Sequence, residues 1–186
     1  MRQQKYLASI VILFLFWATI ACNSEEKSPI HYKTPEQIQQ LKEPLLLANK
    51  HLVGKDKELI ESYIQRHDWV MQMTETGLFY EIHKSAPESE KMVEVNDNVT
   101  INYKVSLLDG TLCYSSDSLG NKSFTTGKGG VELGLEEGVR LLRKGEKARL
   151  ILPPHLAHGL LGDRNRIPPR SIIMYDIEIV DVVDIP

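Results

Sequence analysis

The residues whose types invite chemistry are few, and most of them are isolated. His155 and His158 stand three apart, a spacing seen in metal sites, but no third ligand lies close by and prolines bound the loop on both sides, so no metal is expected. Ser115, Ser116 and Asp117 have no histidine in a plausible sequence context, which argues against a hydrolytic triad. Arg164 and Arg166, beside Asp163, read as solvated loop charges rather than a phosphate site. Cys113 has no cysteine at CxxC spacing and adjoins Tyr114, so it reads as a small buried hydrophobe. Cys22 differs. It follows a basic start (Arg2, Lys5) and an apolar run from Tyr6 to Ala21, and Thr19-Ile20-Ala21-Cys22 resembles a bacterial lipobox, whose cysteine is acylated and becomes the mature N-terminus. The alternative is an uncleaved N-terminal anchor, although the run is short for a span. Either reading tethers the remaining chain to a membrane outside the cytoplasm.

Charge and cysteine count bound the rest. The formal charge is −3 over 186 residues and becomes −5 once a leader carrying Arg2 and Lys5 is removed, which disfavours a nucleic-acid binder. With Cys22 lipidated, no second cysteine remains to pair with Cys113, so stability must come from a packed core.

The elements that must position any site begin after a polar tether, residues 22–33. Thr34-Pro35-Glu36-Gln37 is a helix start, and Ile38, Leu41, Leu45, Ala48 and Leu52 form an apolar stripe. Pro44 should kink this helix or split it in two, Gly54 should end it, and Asp56–His67 should form another. This arm, residues 34–68, packs on its own domain or pairs with a second copy through 34–67; the sequence leaves both open. From Trp69 the period changes to that of strands. Trp69–Thr74 and Leu78–His83 flank a short turn, and Val93–Leu108 alternates through Val99, Ile101, Tyr103 and Val105 into the Asp109-Gly110 hairpin signal. Thr111–Ser116, Phe124–Thr126, Ala148–Leu152 and Ser171–Val183 complete the strands. Leu133–Leu142 is an amphipathic helix, acidic early and basic late, followed by Gly145. An antiparallel sheet of five or six strands wrapped over one short helix, an α+β domain over residues 69–186, is expected.

Read in order, Thr76-Gly-Leu-Phe-Tyr80, Val99-Thr-Ile-Asn-Tyr103, Leu108-Asp-Gly-Thr111, Gly134-Leu-Glu-Glu-Gly-Val139, Lys144-Gly145, Ala157-His-Gly159 and Ile167-Pro-Pro-Arg-Ser171 resemble the FKBP-type peptidyl-prolyl isomerases across roughly residues 75 to 182. With the lipobox-like leader, the chain resembles the gliding-motility-associated isomerase lipoproteins of Bacteroidetes. The resemblance implies an FKBP-like fold, no cofactor, and rotation of X–Pro bonds in proline-containing segments of envelope proteins that are folding. It places the protein in the cell envelope, lipid-anchored through Cys22, facing the periplasm or the cell surface, with the outer membrane preferred. It also implies a pocket built by Tyr103, Val131, Leu135, Ile167 and Tyr175, with His158 over its mouth where the family carries a tyrosine. Phe124 matches the family's core phenylalanine. Cys113-Tyr114 replaces a Phe-Asp pair, Glu132 replaces an isoleucine and Leu135 a tryptophan, so a shallower, wetter pocket is expected. The alternative function is a catalytically weak chaperone or a structural lipoprotein of an envelope machine.

Overall fold

The computed structural model describes residues 34–185. The leader, Cys22 and the 22–33 tether lie outside the described residues. Chain contacts divide the protein into two units, Met1–Glu43 and Pro44–Pro186. The second holds every strand among the described residues.

The arm is one helix, α1 (Pro35–Arg66), which continues through both Pro44 and Gly54. The expected termination at Gly54 and fresh start at Asp56 are therefore corrected. An interior proline removes one backbone bond and costs ~3 kcal/mol, and an interior glycine about 1. Neither cost ends a helix whose far half is pinned by tertiary contacts. Ile60 and Tyr63 are buried against Phe79 and Ile151, and Ile64, Trp69, Met71 and Met174 pack around them. Burying one such aliphatic side chain is worth ~2 kcal/mol. The carboxylate of Asp56 is clasped by Arg170, whose Nη2 donates to Oδ1 at 2.6 Å and to Oδ2 at 2.8 Å.

After α1 come β1 (Gln72–Met73), β2 (Phe79–Lys84), β3 (Asn98–Leu107) and β4 (Leu112–Ser115). A single-turn helix α2 (Ser116–Leu119), strand β5 (Lys122–Thr125) and helix α3 (Leu133–Val139) follow, then β6 (Lys147–Leu152), a 3₁₀ turn at Pro154–Leu156, and β7 (Ile173–Val183). Among the described residues seven strands form one antiparallel sheet, in the order β1-β2-β6-β7-β3-β4, with β5 sharing the edge of β3 beyond β4. The count exceeds five or six because two-residue β1 pairs with β2, and because one edge of β3 serves two strands in succession. The α+β architecture is the expected one.

Alternation gives the sheet a main apolar face. Val99, Ile101, Tyr103 and Val105 of β3, Ile173, Tyr175, Ile177 and Ile179 of β7, and Ala148, Leu150 and Leu152 of β6 are buried on it with Leu135, Val139 and Leu142. On the opposite face Phe79 and Ile151 form a second apolar patch, which the second half of α1 covers. Helix α3 lies very close to β6. A Cβ at Gly134 would stand 2.6 Å from Leu152 Cγ, and one at Gly138 2.4 Å from Leu150 Cδ1. Two glycines four apart thus present a bare helix face to the sheet and set the depth at which Leu135 sits.

Candidate functional site

Tyr103 and Tyr175 anchor the site from adjacent strands. Tyr103 faces Ile177 across the β3–β7 pair, while Tyr175 faces Val105, so the two tyrosines are diagonal neighbours on the main apolar face. Their ring centroids are 6.5 Å apart at an interplanar angle of 46°, a tilted arrangement worth ~0.5–1.5 kcal/mol beyond area burial. Ser116 fixes the backbone under Tyr103: its Oγ accepts from Tyr103 N at 3.1 Å and donates to Asn102 Oδ1 at 2.6 Å. The neighbouring Ser115 Oγ accepts from Asp117 N at 3.1 Å and caps α2. Those serines and Asp117, which pairs with Lys104 at 3.2 Å, are thereby structural.

Leu135, from the first turn of α3, is wholly buried in the same cluster, as is Ile167 from the loop preceding β7. Val131 is half-buried and packs against it. Phe124 on β5 and Cys113 on β4 are also buried there. The Cys113 thiol is pushed up from its ordinary value, by burial first and then by the charges of Asp163 and Asp109. It is a wall atom, not a nucleophile.

The rim is polar, and its organisation was not anticipated. Tyr114 donates its hydroxyl to Asp163 Oδ2, and Asn165 Nδ2 donates to the same hydroxyl at 3.2 Å. Asp163 Oδ1 accepts from the backbone N–H groups of Asn165 and Ile167, both at 2.8 Å. Burial opposes ionisation of Asp163 most. The Tyr114 hydroxyl, the two N–H groups and the charge of His158 together outweigh it and hold the carboxyl at about 2. A carboxylate is therefore present at the rim, supplied by the loop after β6 rather than by β4, with Tyr114 as its donor. Arg166 is not simply a solvated charge either. Its Nη1 donates to Cys113 O at 2.8 Å and its guanidinium lies 5.5 Å from the Tyr114 ring centroid. An aspartate two residues before an asparagine, in a loop bounded by glycine and proline, is the local signature that could have flagged this turn.

The two histidines part company. His155 Nε2 is 3.0 Å from Thr76 O and ties the loop to the β1–β2 turn. His158 Nε2 lies 3.0 Å from Oε1 of Glu132. Glu132 sits at the N-cap of α3 with an extended backbone and makes no side-chain capping bond. Its carboxylate turns inward instead, beside the Tyr175 phenol, whose pKa is raised by burial first and by the Glu132 charge second. Glu132 was expected merely to wet the pocket; it places an acid within it.

Residues 89–180 match the model of the FKBP-type peptidyl-prolyl cis-trans isomerase family. The chain belongs to that family through this domain. Among its relatives, the FkpA isomerase of Buchnera aphidicola is 41% identical over 113 residues, which is 60% of this chain and 43% of that protein. The FkpA isomerase of Escherichia coli K12 is 33% identical over 134 residues, 72% of this chain and 47% of that protein. The chain thus spans less than half the length of these relatives. The crystal structure of FkpA from Escherichia coli superposes with a TM-score of 0.61 at 24% identity, covering 100% of this chain and 89% of that one. That of AtFKBP13 gives 0.57 at 24%, covering 60% and 98%. At that identity the structural likeness speaks for the fold.

Proposed function

We propose that the protein is a peptidyl-prolyl cis-trans isomerase that assists the folding of envelope proteins. The observation carrying this is the convergence of Tyr103, Leu135, Ile167 and Tyr175 in one apolar cluster, with Val131 against it, inside a domain of the isomerase family. Rotation about an X–Pro bond faces a barrier of ~18–20 kcal/mol from amide resonance, and uncatalysed exchange takes tens to hundreds of seconds. The twisted amide is less polar than the planar one, so an apolar site that excludes water favours it without nucleophile, metal or cofactor. In this reading the tyrosine rings and Ile167 flank the proline ring, Leu135 closes the floor, and the Val131 main chain aligns the peptide. His158 at the rim meets the rotated carbonyl. Acceleration of isomerisation in a prolyl peptide, followed by NMR exchange without a coupled protease, tests the proposal; equal rates with and without the protein refute it.

The lipobox-like Thr19–Cys22 supports lipid anchoring in the cell envelope, facing the periplasm or the cell surface with the outer membrane preferred over the inner, and the resemblance noted above supports a link to gliding or secretion machinery. A second reading, a chaperone with little turnover, draws on a groove of about 380 Å³ lined by Leu45, Leu52, Pro154 and Leu160. Leu45 and Leu160 of this lining are exposed. Suppression of aggregation by a variant without isomerase activity would favour it.

A further inference from the structure

Two departures from the family pattern meet in the fold. Where the resemblance sets an isoleucine and a tyrosine, this chain carries Glu132 and His158, and Nε2 of His158 lies 3.0 Å from Oε1 of Glu132. The Glu132 side chain is only 10% exposed and makes no bond that caps α3. It is also hydrogen-bonded by the Tyr175 phenol, which burial first, and the Glu132 charge second, keep neutral. A carboxylate is thus fixed in the pocket wall, with the imidazole as its outward neighbour.

This contact decides where the imidazole carries its proton. A bare ring nitrogen and a carboxylate oxygen both offer lone pairs and repel at 3.0 Å, so Nε2 is protonated whether the ring is neutral or charged. The other nitrogen, Nδ1, has no partner among the described residues and is not among the buried polar atoms left unpaired; the side chain is 25% exposed. Neutral His158 therefore offers the rim a lone pair at Nδ1. Only the imidazolium offers an N–H there. A tyrosine hydroxyl, by contrast, can donate in its neutral form. From its own loop His158 also faces Asp163, which its charge helps to hold ionised against the cost of burial, and which takes the Tyr114 hydroxyl of β4. Arg166 of that loop is committed to the Cys113 carbonyl and the Tyr114 ring, and the sheet contributes the phenols of Tyr103 and Tyr175. Two carboxylates thus surround the one ring, a field that favours its charged form.

We propose that Glu132 is a positioning residue that ties turnover to the charged form of His158. By fixing the ring proton on Nε2, it lets Nδ1 donate to the rotating carbonyl only from the imidazolium. The proposal rests on the isomerase reading and adds a regulation of the same site. Histidine ordinarily changes charge within the neutral range, so the donor is present in mildly acidic surroundings and withdrawn in alkaline ones.

The test uses the full chain and a blocked prolyl peptide without titratable side chains, its cis–trans exchange followed by NMR from about pH 5 to pH 9. In the wild type, kcat/KM is expected to fall about tenfold as pH rises, the effect of one lost charge-assisted hydrogen bond. The midpoint should coincide with the titration of the His158 ring, assigned by its absence from the spectrum of His158→Tyr. Nitrogen-15 shifts should show the neutral ring protonated on Nε2. Glu132→Gln frees the neutral ring to carry its proton on Nδ1, so the fall should shrink to less than about threefold. His158→Tyr should show no fall over this range, circular dichroism confirming each fold. A wild-type profile flat through the His158 titration overturns the proposal, as does a neutral ring protonated on Nδ1. So does a Glu132→Gln rate lowered equally at every pH, the mark of a merely structural role. Should Glu132→Gln fail to fold, the wild-type profile and tautomer decide alone. Turnover without the pH dependence refutes this proposal only; absence of turnover at every pH refutes the isomerase reading and the proposal with it.

Discussion

The hydroxyl of Tyr114 on β4 donates to the carboxylate of Asp163, 49 residues further along the chain, and thereby ties the strand edge to the loop over the site. The depressed pKa of Asp163 makes this link pH-dependent. A carboxyl held at about 2 in the folded state, against 3.8 unfolded, contributes stability fully present above pH 4 and lost as pH falls towards 2. The full shift would be worth ~2.5 kcal/mol, which solvent at this partly exposed group reduces to about 1. Tyr114→Phe should raise the Asp163 pKa, as followed by carbon-detected NMR titration, and should flatten the loss of stability between pH 4 and 2. An identical titration curve in the variant would break this link.

The clasp of Asp56 by Arg170 predicts a larger effect. Asp56 is buried and Arg170 adopts a left-handed backbone with φ 57°, so the loop is held in a disfavoured conformation at the point where it meets α1. Arg170→Ala strands the carboxylate and should cost about 2–3 kcal/mol in urea denaturation, less than the full price of a deeply buried pair because the guanidinium is partly exposed. Asp56→Asn, which keeps the shape and removes the charge, should cost less. Losses in the opposite order would mean that the pair is not what holds the loop.

Gly134 should tolerate no Cβ. The atom it would approach, Leu152 Cγ, is the branch point of a wholly buried side chain and cannot swing aside. Gly134→Ala must push α3 off β6, and a destabilisation of about 1–3 kcal/mol is expected despite the better helix propensity of alanine. A neutral or stabilising result would show that α3 is less closely seated.

Anchoring is tested separately from folding. Cys22→Ala should abolish incorporation of a fatty-acid probe and release the protein from the membrane fraction, while soluble prolyl-isomerase rates stay as they are. Labelling that persists in this variant would place the lipid elsewhere or favour an uncleaved anchor.

What was legible in the sequence was whatever local periodicity encodes. The alternation Val99-Ile101-Tyr103-Val105 placed Tyr103 on the inner face, and Leu135 and Val139 placed the buried side of α3. Gly54 misled because its local penalty is outweighed by tertiary contacts made at Ile60, Tyr63 and Asp56, whose partners lie far along the chain. The rim escaped for the same reason. His158 and Glu132 are 26 positions apart, Tyr114 and Asp163 are 49, and each pair meets only once the loop after β6 has folded back over β4 and α3. The departures at Glu132 and Cys113-Tyr114 were visible as substitutions. Their consequence, a relocated carboxylate at Asp163 and an acid turned into the site, required the geometry.

The central claim is that the apolar cluster around Tyr103 and Tyr175 lowers the barrier to prolyl rotation. The most direct measurement is the rate of cis–trans exchange in a prolyl peptide, observed by NMR exchange spectroscopy with catalytic amounts of the full chain. Tyr175→Leu serves as comparison, at a temperature where both are folded by circular dichroism, since removing a buried aromatic from β7 also costs a few kcal/mol of packing. The wild type should accelerate exchange with kcat/KM of at least about 10⁴ M⁻¹s⁻¹, and Tyr175→Leu should be slower by about tenfold or more. A wild-type rate indistinguishable from buffer, or a Tyr175→Leu rate equal to wild type, would contradict the account.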